Sequence, residues 1–244
     1  MVKGVYNKSF MATLFPTPVW FQGWDLAFEA IALLVTLLIA GYSWNVYRMS
    51  GESRFQYFSL AFLLLSLSIF IKALTSSAVY FGEVRTAADV LIRPALGVNR
   101  EYSVLFYHLG FFLQMASMLG GWLLLFFVSQ KGRGRLKKYY EVSQIGLFVY
   151  LILLISWVAN FRYVVFYLTS SVLLGFIVLN YYKSYLNTQN KNTLLVIMSF
   201  VFLFFAHLLF TFIIFNQVFY AVGQLVLLLG FVLLLITYSN IVRK

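Results

Sequence analysis

Residues 192–242 read NTLLVIMSFVFLFFAHLLFTFIIFNQVFYAVGQLVLLLGFVLLLITYSNIV and contain no Asp, Glu, Lys or Arg. A helix needs about 20 apolar residues to cross the hydrocarbon core of a bilayer. This stretch is too long for one crossing and fits two crossings joined by a tight turn. The polar pair Asn216 and Gln217 lies near its middle and marks the expected turn.

The rest of the chain continues the pattern. Hydrophobic residues make up 62% of the sequence and charged residues 10%, against about 25% charged in soluble domains. This composition excludes a soluble domain and predicts an all-α integral membrane protein. The uncharged runs place seven transmembrane helices in one domain spanning 24–241, at 24–47, 55–81, 103–129, 139–160, 163–184, 193–215 and 217–241. Residues 1–23 are expected to form an interfacial arm, and 82–102 an outer loop with a short interfacial helix.

Basic residues predict the orientation, because cytoplasmic connections carry the excess of Lys and Arg. The connections after the first, third and fifth helices, with the C-terminal end, hold eleven basic residues, and the opposite side holds six. We therefore expect an outside N-terminus and a cytoplasmic C-terminus, in a multi-pass protein of the cell (cytoplasmic) membrane.

One basic cluster stands in the connection after the third helix. It contains five cationic residues: Lys131, Arg133, Arg135, Lys137 and Lys138. The net charge of +11 is otherwise spread over the connections, so no nucleic-acid partner is expected. Two interpretations stay open: the cluster sets the topology, or it contacts lipid headgroups or an acidic protein partner.

Four ionisable residues fall inside predicted helices, where such groups are costly and mark candidate sites. They are Glu29, Lys72, His108 and His207, and the boundaries place all four in the outer half of the membrane. Helical phase at 100° per residue puts Asp25 and Glu29 on one face of the first helix. If the first two helices turn their polar faces together, Lys72 pairs with Glu29 or Asp25.

These residues define a candidate outward-facing pocket. Further polar residues on the predicted inward faces of three helices complete it. The full set is Asp25, Glu29, Lys72, Thr75, Ser76, His207, Gln217, Tyr220 and Gln224. Two interpretations stay open here as well: a structural ion pair, or a charged wall that lines a ligand site. On the third helix, Gly110, Gln114, Ser117 and Gly121 form a small-residue packing stripe.

Cofactor motifs are sparse. The chain has no cysteine and two histidines, so no cofactor is predicted; a haem b between His108 and His207 is the alternative to two hydrogen-bonded buried histidines. Retinal is not expected, because the last helix lacks a lysine. The common signatures of intramembrane hydrolases are missing as well.

We therefore expect a non-enzymatic receptor-like, sensor-like or accessory subunit that acts through a membrane or cytoplasmic partner or as a homo-oligomer. Two alternatives remain open. One is a small-solute transporter, which would need broken helices around a midplane site. The other is a haem- or metal-binding membrane redox protein that uses His108 and His207.

Overall fold

The computed structural model describes residues 17–81, 84, 102–130 and 163–242. Within these ranges the secondary structure is entirely helical. The helices are α1 (Trp24–Ser50), α2 (Ser53–Tyr80), α3 (Tyr102–Gln130), α4 (Tyr163–Thr188), α5 (Lys191–Thr211) and α6 (Val218–Val242), with short 3-10 turns at Val19–Phe21 and Phe212–Ile214.

Each of these six helices is long and apolar enough to cross a membrane. Large apolar side chains such as Leu34, Leu179 and Leu229 are at least half exposed on their outer faces, as lipid-facing residues are. The prediction of an all-α, multi-pass membrane protein is therefore confirmed. The predicted fourth helix at 139–160, most of the 82–102 loop and the Lys131–Lys138 cluster lie outside the described residues, so a seventh helix and the orientation stay predictions.

Local sequence signals set the helix ends. Gly51 stops α1 because it adopts a left-handed conformation (φ 68°) and its N–H donates to the Tyr47 carbonyl. Asn190 starts α5, since its side chain accepts a hydrogen bond from the N–H of Asn192. Two-residue connections therefore join α1 to α2 and α4 to α5.

The six helices close into a ring. Each packs against the next along the chain, and α6 packs back against α1. The centre of the bundle is filled by fully buried side chains, among them Leu65, Trp122 and Phe231. Trp122 and Phe231 stack with ring centroids 6.4 Å apart, which joins α3 to α6 through the middle.

Helix direction follows from the contacts between α3 and α4. Phe111, in the first half of α3, lies against Tyr163 at the start of α4, with ring centroids 4.6 Å apart. Further along both helices, Asn180 Nδ2 of α4 donates to Ser129 Oγ of α3 at 3.0 Å. The two helices therefore run in the same direction. We use "the starting end" for the end of the bundle at which α1, α3, α4 and α6 begin.

The small-residue stripe of α3 packs against α2, inside the bundle. A Cβ atom on Gly110 would lie 2.9 Å from Thr75 Oγ1, and one on Gly121 would lie 3.0 Å from the Ala61 carbonyl oxygen. Between these two glycines, the Ser68 hydroxyl donates to the backbone carbonyl of Gln114 at 2.8 Å. The close helix contact predicted for this stripe of α3 is therefore made with α2 of the same chain.

Candidate functional site

A buried ion pair lies near the starting end of the bundle. Lys72 Nζ is 2.7 Å from Glu29 Oε1, with side chains 12% and 3% exposed. Because α1 and α2 are antiparallel neighbours, a residue early in α1 meets one late in α2. Of the two predicted partners of Lys72, the structure selects Glu29.

Asp25 occupies a separate site at the start of α1. Its Oδ1 accepts from the backbone N–H groups of Gly23 and Leu26, both at 3.0 Å. Its Oδ2 accepts from the Tyr80 hydroxyl at 2.7 Å. A helix N-terminus favours an anion, so the charge of Asp25 is stabilised without Lys72.

Helix α6 completes the surroundings of the ion pair through Tyr220. The Tyr220 hydroxyl accepts from Lys72 Nζ at 3.1 Å and from Gln224 Nε2 at 3.2 Å. The ammonium also lies 5.2 Å from the centroid of the Tyr220 ring, within the range of a cation–π contact. Two residues predicted on α6 therefore lie at the ion pair: Tyr220 contacts Lys72, and Gln224 contacts Tyr220.

A small cavity adjoins the ion pair, and apolar side chains form most of its wall. Its volume is about 30 Å³, measured over the positions that the centre of a water molecule can occupy. Every described helix contributes to its wall: Glu29 from α1, Ser68 and Lys72 from α2, Gln114 from α3, Tyr167 from α4, Phe210 from α5 and Gln224 from α6.

Two oxygens of residues that line this cavity have neither a hydrogen-bond partner nor an ion-pair partner among the described residues. They are Glu29 Oε2 and Gln114 Oε1, and both atoms are inaccessible to solvent. The residues themselves are 3% and 2% exposed. Buried polar atoms in proteins are nearly always paired, so these oxygens indicate a site for an additional group.

His207 lies beside the cavity and does not line it. Its Nδ1 is 2.9 Å from the Leu203 carbonyl oxygen, a hydrogen bond that requires the proton on Nδ1. Its Nε2 is buried and unpartnered within the described part of the chain. The rings of Trp122 and Tyr167 meet it edge-on, with centroids at 5.5 and 6.1 Å.

The proposed second haem ligand cannot be placed, because only the backbone of His108 is described. Within the described ranges, no three His, Cys, Asp or Glu side chains come together as a metal site would require. The haem alternative therefore stays a hypothesis, and the structure describes the side chain of one of its two histidines, His207.

The remaining predicted site residues are spread along the starting end. Thr75 is buried and its hydroxyl donates to the Ile71 carbonyl at 2.7 Å. Ser76 is buried with no partner for its hydroxyl in the described ranges. Gln217 is exposed in the turn that precedes α6, away from the cavity.

Sequence reasoning missed four residues of the site. Tyr80 was detectable, because it continues the Lys72–Ser76 stripe of α2 by one more helical turn. Gln114 belongs to the packing stripe predicted on the third helix, which gives no indication of a place in the pocket. Ser68 was detectable, because it lies one helical turn before Lys72 on α2. Tyr167 carried no signal, because a Tyr in an apolar helix is common and the sequence does not show which helix faces the cavity.

Comparisons with protein families, with curated proteins and with solved structures found no match to this chain.

Proposed function

We propose that the chain is a non-enzymatic protein of the cell membrane, a receptor-like, sensor-like or accessory subunit whose ligand site is the cavity beside Glu29 and Lys72. The observation that carries this proposal is the convergence of all six described helices on one cavity, two of whose lining residues have an unpartnered buried oxygen. A purely structural ion pair does not require such a cavity.

The same convergence links an occupant to the arrangement of the helices. A ligand shifts a conformational equilibrium only by its difference in affinity for the two states. An occupant that touches every helix gains or loses contacts whenever any helix moves. The cavity is therefore well placed to convert binding into a change of bundle shape.

The seven-crossing topology is part of the proposal. Because α3 and α4 run in the same direction, residues 131–162 have to lead from the end of α3 back to the starting end of the bundle. This requirement supports one further crossing, and the uncharged run predicted as a helix at 139–160 is long enough for it. With the N-terminus outside, the cavity lies in the outer half of the membrane.

The short connections support output through a partner. The α1–α2 and α4–α5 connections have two residues each, whereas an independent domain needs about 40 residues or more. We propose that the signal passes to a protein partner or a second copy, through helix faces or through the Lys131–Lys138 loop. The latter would present five cations to an acidic partner or to lipid headgroups.

The described helices favour this function over transport. Each of α1 to α6 runs unbroken, whereas transporter sites typically lie between discontinuous helices. The transporter hypothesis therefore lacks the backbone feature that it needs in this part of the chain.

Native mass spectrometry of the protein released from lipid nanodiscs tests the proposal. The wild type is expected to retain a small molecule that the double variant Glu29→Met, Lys72→Met loses. The matched control removes the exposed pair of Glu52 and Arg54, 2.9 Å apart, and should retain the molecule. Retention by all three proteins, or by none, would contradict a ligand site at the cavity.

Two further readouts from the same preparation address the alternatives. Uptake of a solute by liposomes that contain only this protein would favour the transporter. A haem absorption band that disappears in His207→Ala would favour the redox protein.

A further inference from the structure

We propose that the occupant of the cavity is a neutral hydrogen-bond donor, an O–H or N–H group that bridges Glu29 Oε2 on α1 and Gln114 Oε1 on α3. This inference rests on the proposed function, because it names the chemical class that the same cavity accepts.

The acceptor character of the two unpartnered oxygens is the first step. A carboxylate oxygen and an amide carbonyl oxygen can only accept hydrogen bonds. Both are buried without a donor from the described residues, and both belong to residues that line the cavity. Leaving a buried acceptor unpaired is costly. The missing partner is therefore a hydrogen-bond donor, and we assign it to the cavity.

The charges around the cavity exclude ions as preferred occupants. An anion would face two acceptor oxygens, and the Lys72 ammonium on the cavity wall is already paired with Glu29. A cation would lie close to the Lys72 ammonium, whose charge Glu29 already balances. The other described buried carboxylate nearby, Asp25, accepts hydrogen bonds from donors at the start of α1 and does not line the cavity.

The size of the cavity sets the next limit. One water molecule needs about 10–15 Å³ of such volume, so about 30 Å³ holds two water molecules or one small donor group. The shared chemistry is a neutral donor, and it has two sources. Either water fills the cavity, or a ligand inserts a hydroxyl or amide group and leaves its remaining part between the helices.

Such a bridge would join α1 to α3 at a level where each of them contacts α2. Glu29 pairs with α2, and the backbone of Gln114 receives the hydroxyl of Ser68, also on α2. A donor between Glu29 and Gln114 would tie α1 directly to α3. Forming or losing this bridge would therefore change how α1 and α3 are held on the two sides of α2.

A structure in lipid nanodiscs at a resolution that shows ordered water tests the occupant. We expect density within hydrogen-bond distance of both oxygens. Separate round peaks identify water, and continuous density identifies a hydroxyl- or amide-bearing molecule; either result supports the inference. A metal ion, a carboxylate-bearing molecule or a cavity without density would overturn it.

A mutant cycle tests the bridge without a structure. Gln114→Leu is expected to lower the melting temperature of the wild type, and to lower it by less than half as much in the Glu29→Met, Lys72→Met background. Met118→Leu, which lines the same cavity, should have equal effects in both backgrounds. Equal effects of Gln114→Leu in both backgrounds would overturn the bridge.

The outcomes separate this inference from the function on which it rests. An ion in the density, together with a retained molecule in the mass spectrum, would remove the donor class and leave the ligand site. Water in the density with no retained molecule would support the donor class and remove the ligand.

Discussion

The Lys72 ammonium is stabilised by groups from two other helices. Glu29 supplies the opposite charge, and Tyr220 supplies a hydroxyl and a ring face. A charge inside a low-dielectric bundle is tolerated only when it is paired and hydrogen-bonded. The three side chains therefore act as one unit, and removing any single member affects the others.

A double-mutant cycle on Lys72→Met and Glu29→Gln should show strong coupling. Each single change strands a buried charge at a cost of about 3–5 kcal/mol, and the double change costs less than the sum because no charge is left alone. Unfolding of the purified protein in detergent, followed by temperature or denaturant, measures this.

Two comparisons make the cycle specific. Asp25→Asn combined with Lys72→Met should be additive, since Asp25 is held by Tyr80 and backbone donors. The exposed pair of Arg54 and Glu52, 60% and 54% exposed, should couple by less than about 1 kcal/mol. Coupling of Lys72 to Asp25 in place of Glu29 would contradict the site as described.

Tyr220→Phe isolates the hydroxyl of the same unit. The change keeps the ring and removes the acceptor for Lys72 and Gln224. We expect a loss of about 1–3 kcal/mol, the cost of leaving buried donors unpaired. Tyr182→Phe, at a side chain that is 49% exposed, should change stability little. Equal losses from the two variants would mean that the Tyr220 hydroxyl has no special role.

At the residue scale the sequence predicted the ion pair and two of its neighbours on α6, Tyr220 and Gln224, and missed the other residues around it. Helical phase brought Glu29 and Lys72 together because each faces inward on its own helix. It misplaced Gln217, which precedes the first residue of α6, so helical phase does not apply to it. It did not identify Tyr167, because phase within one helix says nothing of which helices share a cavity.

At the element scale, the seam between α2 and α3 depends on close backbone approach. A Cβ atom on Gly121 would lie 2.8 Å from the Leu65 side chain and 3.0 Å from the Ala61 carbonyl oxygen. The Leu65 side chain can rotate, but the carbonyl belongs to the α2 backbone. The seam therefore tolerates no larger residue unless the two helices move apart.

Gly121→Ala is expected to destabilise the protein by about 1–3 kcal/mol through this overpacking. Its neighbour Gly120 provides a matched control, because a Cβ there would meet Leu64 at an ordinary 3.6 Å. Gly120→Ala should be neutral or stabilising by up to about 1 kcal/mol, since alanine favours a helix. Similar effects at both positions would contradict the packing of this seam, and thermal unfolding in detergent distinguishes them.

Helix existence was predictable because an uncharged run has few other options in a bilayer. The observed bounds differ from the predicted ones by a few residues, the largest differences being four residues at the ends of α4 and α5. At the end of α5, the residues predicted as its last helical turn form the 3-10 segment Phe212–Ile214 instead. Which helices touch was not predictable, since contacts such as Phe58 with Tyr238, at 5.1 Å, join residues far apart in the chain.

At the scale of the whole molecule, the ring of helices fixes which connections share a side. The α1–α2 and α4–α5 connections lie at the end opposite the starting end, and the α5–α6 turn lies at the starting end. Basic residues concentrate on the former side, which the charge rule assigns to the cytoplasm. Single cysteines report the side directly, because the chain has no natural thiol.

In intact cells, a membrane-impermeant maleimide is expected to label cysteines at Ser9 and Asn216. Cysteines at Glu52 and Asn190 should be labelled only after permeabilisation. Asn216, Glu52 and Asn190 are exposed in the connections, so a failure to react reports the side of the membrane. The reverse pattern would show that the orientation is inverted.

The same assay decides whether the chain crosses between α3 and α4. Parallel α3 and α4 require residues 131–162 to lead back to the starting end. A cysteine at Gly134 should therefore be labelled only after permeabilisation, like one at Glu52. One at Arg162, just before α4, should behave like Asn216 and be labelled from outside. If Gly134 and Arg162 are labelled on the same side, α3 and α4 cannot be parallel in the membrane. The contacts of Phe111 with Tyr163 and of Ser129 with Asn180 could then not both form.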